Sequence, residues 1–176
     1  LQISGAGLLG SGAYAGNIAL FNDALFRYSS SAAQTLSGVV SGAGALTKDA
    51  STASTLSLTG ANTYSGSTTV DAGTLQIGGA GSLGSGAYAG TIGIANGALF
   101  SYSSSAAQTL SGDVSGAGAL TKDVSAASTL TLSGTNTYTG ATTVSAGTLR
   151  AGSTTAFGSN SAVTTNGTLD LNGFDI

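Results

Sequence analysis

The 176-residue chain carries only 6% charged residues, a formal net charge of −3, and no Cys, His, Pro, Met or Trp. That composition excludes a disulfide framework, thiol chemistry and an electrostatic footprint for nucleic acid. It also supplies no apolar run long enough to span a membrane as a helix. Gly, Ala, Ser and Thr fill most of the length, yet short aliphatic or β-branched runs recur about every ten residues, which a disordered linker lacks.

From the N-terminus, Gly5-Ala6-Gly7 and Gly10-Ser11-Gly12 read as turns, and Phe26-Arg27-Tyr28 as a strand with both aromatics on one face. Ser41-Gly42-Ala43-Gly44 is a further turn. Thr55-Leu56-Ser57-Leu58-Thr59 alternates with period two, and Gly60-Ala61-Asn62 and Ala72-Gly73 break the chain again. Thr74-Leu75-Gln76-Ile77 opens a repetition of everything before it. Residues 75–148 align with residues 1–74 without a gap, with 57 of 74 positions identical, and a third, divergent copy begins at Leu149. Thus Phe100-Ser101-Tyr102 and Thr129-Leu130-Thr131-Leu132-Ser133 are second versions of earlier strands. Leu169-Asp170-Leu171 alternates near the end. Helix signals are poor, because Gly interrupts every candidate.

Differences between the copies test the alternation. Ser57 becomes Thr131 while both flanking leucines are kept. Arg27 becomes Ser101, Asp71 becomes Ser145, and Val39 becomes Asp113 beside an unchanged valine. Such changes are cheap facing water and costly inside, so these positions are assigned outward. Phe21 becomes Ala95, a large volume change that fits a loop position.

A strict tandem repeat means one structural unit stacked on itself. The expected fold is all-β: a single solenoid over 1–176, a right-handed parallel β-helix of about seven or eight turns. Its repeats are 1–74, 75–148 and the partial 149–176. With roughly 20–25 residues per turn, one unit makes about three turns. The rod is then about 35–40 Å long at the inter-strand spacing. Its core is expected to be ladders of like residues, Leu on Leu and Val on Val. An antiparallel sandwich or barrel is the runner-up, disfavoured because it has no place for translational symmetry. Strand-like text at both ends reads as a piece of a longer array, and the start shows no charged-then-apolar leader.

The segment from Leu58 to Leu75, with its second version from Leu132 to Leu149, follows the pattern G-x-N-T-Y-[ST]-G-x-T-T-V-x-A-G-T-L. It resembles the passenger-associated transport repeat of bacterial autotransporters. The motif positions, Asn62, Tyr64, Gly66, Val70 and Gly73 with Asn136, Tyr138, Gly140, Val144 and Gly147, are assigned a structural role. The stretch from Gly158 to Leu171 resembles the turn that often follows. The resemblance implies a parallel β-helix displayed outside an outer membrane and an adhesin-like role. It also implies an outer-membrane β-barrel translocator in the parent protein.

Chemistry is thinly supplied. Lys48-Asp49 and Lys122-Asp123 are the only recurrent charges, and read as solvated turns with a weak ion pair. Gly78-Gly79-Ala80-Gly81 lacks the Asp of a calcium-binding nonapeptide, and no helix or Lys-Ser follows the Gly-rich strings as a phosphate loop requires. Asn62 and Asn136 read as turn residues or rungs of an Asn ladder rather than ligand contacts. Tyr64 and Tyr138 read as stacking along the coil rather than on sugars. Asn166-Gly167-Thr168 matches a glycosylation sequon by chance.

No enzymatic activity, cofactor, metal or catalytic residue is expected. The expected function is a structural and adhesive segment of a secreted or surface-displayed β-helix, extracellular or on the bacterial outer-membrane surface. Its partner is itself, laterally or end to end, with host or environmental surface glycans as further candidates and nucleic acid excluded. The alternatives are a carbohydrate-binding or polysaccharide-cleaving β-helix and a passive stalk for a distal domain.

Overall fold

The computed structural model describes residues 1–124 and 127–176. In the first copy the strands are β1 (Gln2–Gly5), β2 (Ala13–Tyr14), β3 (Ile18–Leu20), β4 (Leu25–Ser30), β5 (Gln34–Leu36), β6 (Val40–Gly42), β7 (Ala45–Lys48), β8 (Thr55–Leu58) and β9 (Thr68–Val70). The second supplies β10 (Thr74–Gly79), β11 (Ala87–Tyr88), β12 (Ile92–Ile94), β13 (Leu99–Ser104), β14 (Gln108–Leu110), β15 (Val114–Ser115), β16 (Ala119–Lys122), β17 (Thr129–Leu132) and β18 (Thr142–Val144). The last stretch adds β19 (Thr148–Ala151), β20 (Val163–Thr165) and β21 (Thr168–Asp170).

Strands pair in parallel into three faces. The first stacks β1, β4, β7, β9, β12 and β15, and the second β2, β5, β8, β10, β13, β16, β18 and β20. The third begins with β3 and β6 and ends with β11, β14, β17, β19 and β21. Residues 61–65 and 82–85 join its two parts, through the Ala61–Ser82 bridge and the bonds Thr63 N–H to Val40 O (2.9 Å) and Ser85 N–H to Asn62 O (3.0 Å). The coil is therefore a parallel β-solenoid of about eight turns, roughly 38 Å long at the inter-strand spacing.

Turn length varies. Along the second face the partners Ala13, Thr35, Ser57, Gln76, Ser101, Thr121, Thr143 and Thr164 are 22, 22, 19, 25, 20, 22 and 21 residues apart. The repeat is out of phase with these turns. One copy contains nine strands and the 61–65 segment, ten faces in all, and ten faces are three and a third turns. The expected three turns per unit is short by one face. Each strand of the second copy consequently lies one face further round than its counterpart: β4 is on the first face and β13 on the second, β8 on the second and β17 on the third.

The registers also correct the expected like-on-like ladders. Leu130, Leu149 and Leu169 do stack. The inward column of the second face, however, reads Leu36, Leu58, Ile77, Tyr102, Lys122, Val144. All six are buried. Successive turns within one copy carry different residues: Tyr102, Lys122 and Val144 stack in the second copy as Tyr28, Lys48 and Val70 do in the first.

The facing assignments hold. Leu56 and Leu58 are fully buried, and Ser57 and Thr131 lie between buried neighbours on the outer surface. Asp71, Ser145 and Asp113 are exposed, and Phe21 sits in a connection at 75% exposure, which explains its freedom to become Ala95. Ser101 faces outward but is covered by Ser103, whose hydroxyl lies 3.0 Å away. Leu171, paired in expectation with Leu169, stays 46% exposed in the last turn.

Candidate functional site

The motif positions gather at the corners of two turns. Leu58 ends β8, residues 61–65 form the third face of that turn, Val70 ends β9, and Gly73 leads into β10. Strands β8 and β10 pair Thr55 with Thr74 and Leu58 with Ile77, so the segment closes one turn upon itself. In the second copy β17 and β19 pair Thr129 with Thr148 and Leu132 with Ala151 in the same way.

Asn62 is fully buried and works as a piece of backbone. Its Oδ1 accepts from Val40 N–H (2.9 Å) in the turn before, and its Nδ2 donates to Gly60 O (2.8 Å) and to Ser82 O (3.1 Å) in the turn after. Asn136 repeats this: Oδ1 accepts from Val114 N–H (2.8 Å) and Nδ2 donates to Ala156 O (2.8 Å). Each side-chain amide spans three turns, with apolar residues rather than Asn beneath it. The amides bridge turns, and neither an Asn ladder nor a left-handed backbone angle is involved.

Tyr64 and Tyr138 are also fully buried, which leaves no ring face for a sugar. Tyr64 packs edge-on against Tyr88, with centroids 5.5 Å apart at 63°. The two hydroxyls share Thr68 Oγ1 at 2.8 Å each, and the Tyr88 hydroxyl donates to Gly66 O. In the second copy Tyr138 meets Thr142 Oγ1 at 2.7 Å. Ser161 takes the place of the second tyrosine, bonding Thr142 Oγ1 (3.1 Å) and donating to Gly140 O (2.6 Å). Burial pushes the Tyr64 hydroxyl well above the usual range, and raises Tyr88 and Tyr138 as well. A cleft of about 270 Å³ opens over the Tyr64–Tyr88 corner, but the rings present no exposed face to it.

Gly66 and Gly140 permit close approach between turns. A Cβ on Gly66 would lie 2.3 Å from Gly44 O, and one on Gly140 2.0 Å from Gly118 O. Gly73 and Gly147 adopt φ of 70° and 73°, where a side chain is strained. Val70 and Val144 are buried core residues.

The reading of Lys48 and Lys122 as solvated turn residues is overturned. Both are fully buried inside the coil. Lys48 Nζ donates to the carbonyls of Asp49 (3.2 Å), Ser51 (3.1 Å) and Ala72 (2.9 Å), and stands 6.0 Å from the Tyr28 ring centroid. Lys122 Nζ reaches Asp123 O (3.3 Å) and Ala146 O (3.4 Å), 5.9 Å from the Tyr102 ring. Each ammonium ties a corner to the Ala-Gly turn of the family motif one turn on. Burial lowers both lysines, against the neighbouring carboxylate which raises them. The corner residues Ala50 and Val124 take left-handed φ of 67° and 65°. The ion pair expected within Lys48-Asp49 is made instead between Arg27 and Asp49. A signal for the lysines was present in the sequence. Arg27, Asp23 and Asp71 all change between copies while Lys-Asp is kept in both, and a solvated charge is free to vary.

What the arrangement can do chemically is bond turns together. Among the described residues no group of three or more His, Cys, Asp or Glu converges as a metal site. The family model of the passenger-associated-transport-repeat matches residues 53–77 and 127–151, the two self-closing turns described above. No curated protein and no solved structure matches the chain. The chain thus carries two passenger-associated transport repeats, each closing a turn of a parallel β-solenoid, and over those residues it is similar to the passenger β-helices of autotransporters.

Proposed function

We propose that this coil is a non-enzymatic, surface-displayed or secreted segment whose task is self-association. The observation that carries the reading is the outward column of the second face. Thr35, Ser57, Gln76, Ser101, Thr121, Thr143 and Thr164 succeed one another over seven turns without a charge. Flat sheet faces normally resist association through charged side chains, and this column has none. The four basic side chains are all engaged within the fold. Lys48 and Lys122 lie inside, and Arg27 pairs with Asp49 and Arg150 with Asp170. An exported passenger that bonds side by side to its own kind would clump cells or build a fibre.

The test is clumping of beads coated with the chain. Clumping that disappears when Ser57, Thr121 and Thr143 are replaced together by Asp, in a protein that still unfolds cooperatively, is the expected result. Coated beads that stay dispersed at every density would make the coil a stalk and end the adhesive reading.

A further inference from the structure

We infer that tandem copies of this unit offer their outer surfaces as a three-sided screw, and that the partner this suits is further copies of the same chain packed against all three sides of the rod. The inference rests on the proposed self-association and specifies its geometry.

The basis is the ten-face unit. Equivalent outward residues do not line up along the rod: Thr47 is on the first face and its counterpart Thr121 on the second. Ser57 is on the second and Thr131 on the third. Each copy therefore repeats its surface about 120° further round and roughly 16 Å further along, at the usual inter-strand spacing.

The corners make this possible. In the first copy Gly16, Gly38 and Gly60 form one close-packed column, where a Cβ on Gly38 would meet Gly16 O at 2.3 Å and one on Gly60 would meet Gly38 O at 2.4 Å. Gly44 and Gly66 form another. Their continuation is Gly90, Gly112 and Gly134, with Cβ-to-carbonyl approaches of 2.5, 2.2 and 2.4 Å, and these are the second-copy counterparts of Gly16, Gly38 and Gly60. One corner of the unit thus stacks on a different corner of its predecessor. The corners are interchangeable, and the unit can follow itself out of phase.

A screw display separates the two kinds of partner. A polymer lying along one face would meet different residues in successive copies: Thr35 and Ser57 from the first, then Gln76, Ser101, Thr121 and Thr143 from the second. Repetition brings the same site back to that face only at every third copy. A neighbouring rod carries the same screw, so tandem copies multiply contacts around the rod and cross-link several neighbours. The outward columns do not oppose this. The arginines within them, Arg27 on the first face and Arg150 on the third, are each matched by an aspartate of the same rod.

The chain has no native cysteine, so one can be placed on each face separately: T47C, T121C and T131C. Each is labelled with a benzophenone, assembled and illuminated. Covalent dimers from all three positions, in yields within about threefold of one another, are expected. Crosslinks from a single face, or from none, in a protein that still assembles would overturn the three-sided packing and leave self-association standing. A chain that sediments as a monomer at every concentration would overturn both.

Discussion

At the scale of single residues, the amide of Asn62 makes three hydrogen bonds to main-chain groups, and for Val40 N–H it is the acceptor the corner supplies. Truncation to Ala strands Val40 N–H inside the coil, whereas the Gly60 and Ser82 carbonyls keep the main-chain N–H of residue 62, and a stranded buried polar group costs about 1–3 kcal/mol. Asn62→Ala should therefore lower the unfolding free energy by about 1–3 kcal/mol, read from urea denaturation. Asn136→Ala, which takes partners from Val114 N–H and Ala156 O, should lose at least as much. The Arg27–Asp49 pair predicts a pH effect. Burial raises the Asp49 carboxyl, but hydrogen bonding and the charges of Arg27 and Lys48 outweigh it, so its folded value lies below the ordinary 3.8. A depressed carboxylate contributes stability that is present above its unfolded value and is lost as pH falls through the folded one. Arg27→Ser, which copies the residue at 101, should flatten the decline of the urea midpoint below about pH 4. An unchanged acid limb would remove the pair from the account.

At the scale of elements, strands and facing were legible because period-two alternation is a local property. The two copies also disclosed which positions face water, as Arg27 and Ser101 or Val39 and Asp113 show. Lys48 left only its retention in both copies as a signal, because a lysine beside an aspartate looks the same whether its ammonium meets water or a ring of carbonyls. Only the next turn, delivering Ala72 O 24 residues on, decides between them. The corners resist sequence reading for the same reason, since a glycine at a corner and a glycine in a strand are the same letter. The structure separates them. Gly66→Ala would drive a methyl to 2.3 Å from a main-chain oxygen that cannot rotate away, and should destabilise by about 1–3 kcal/mol, the usual range for overpacking. Gly93 lies in β12 with an added Cβ no nearer than 3.9 Å to Thr69 Cγ2, and its counterpart in the first copy is Ala19. Gly93→Ala should stabilise by about 0.4–1 kcal/mol by restricting the unfolded chain. Opposite shifts in melting temperature are the expected pair of results, and a loss at both positions would show that the strand glycine is needed too.

At the scale of the whole molecule, the repeat length and the turn length have to be kept apart. A 74-residue repeat announces a solenoid, but turns of 19 to 25 residues do not divide it evenly. Rounding to three turns puts equivalent residues on one face, whereas the registers put them on adjacent faces. The two arrangements give different distances. Ser57 and Thr121 belong to one outward column, three turns apart, or about 14 Å at the inter-strand spacing. Ser57 and Thr131 are sequence equivalents separated by three and a third turns, and their side chains leave different faces. Spin labels at 57 and 121 should report the shorter distance, and labels at 57 and 131 a clearly longer one, although Thr131 is the residue that repetition alone would place above Ser57. Equal distances would restore a unit in phase with its turns. That result would line the surface of every copy along a single side, where a long polymer rather than a neighbouring rod would be the better-matched partner.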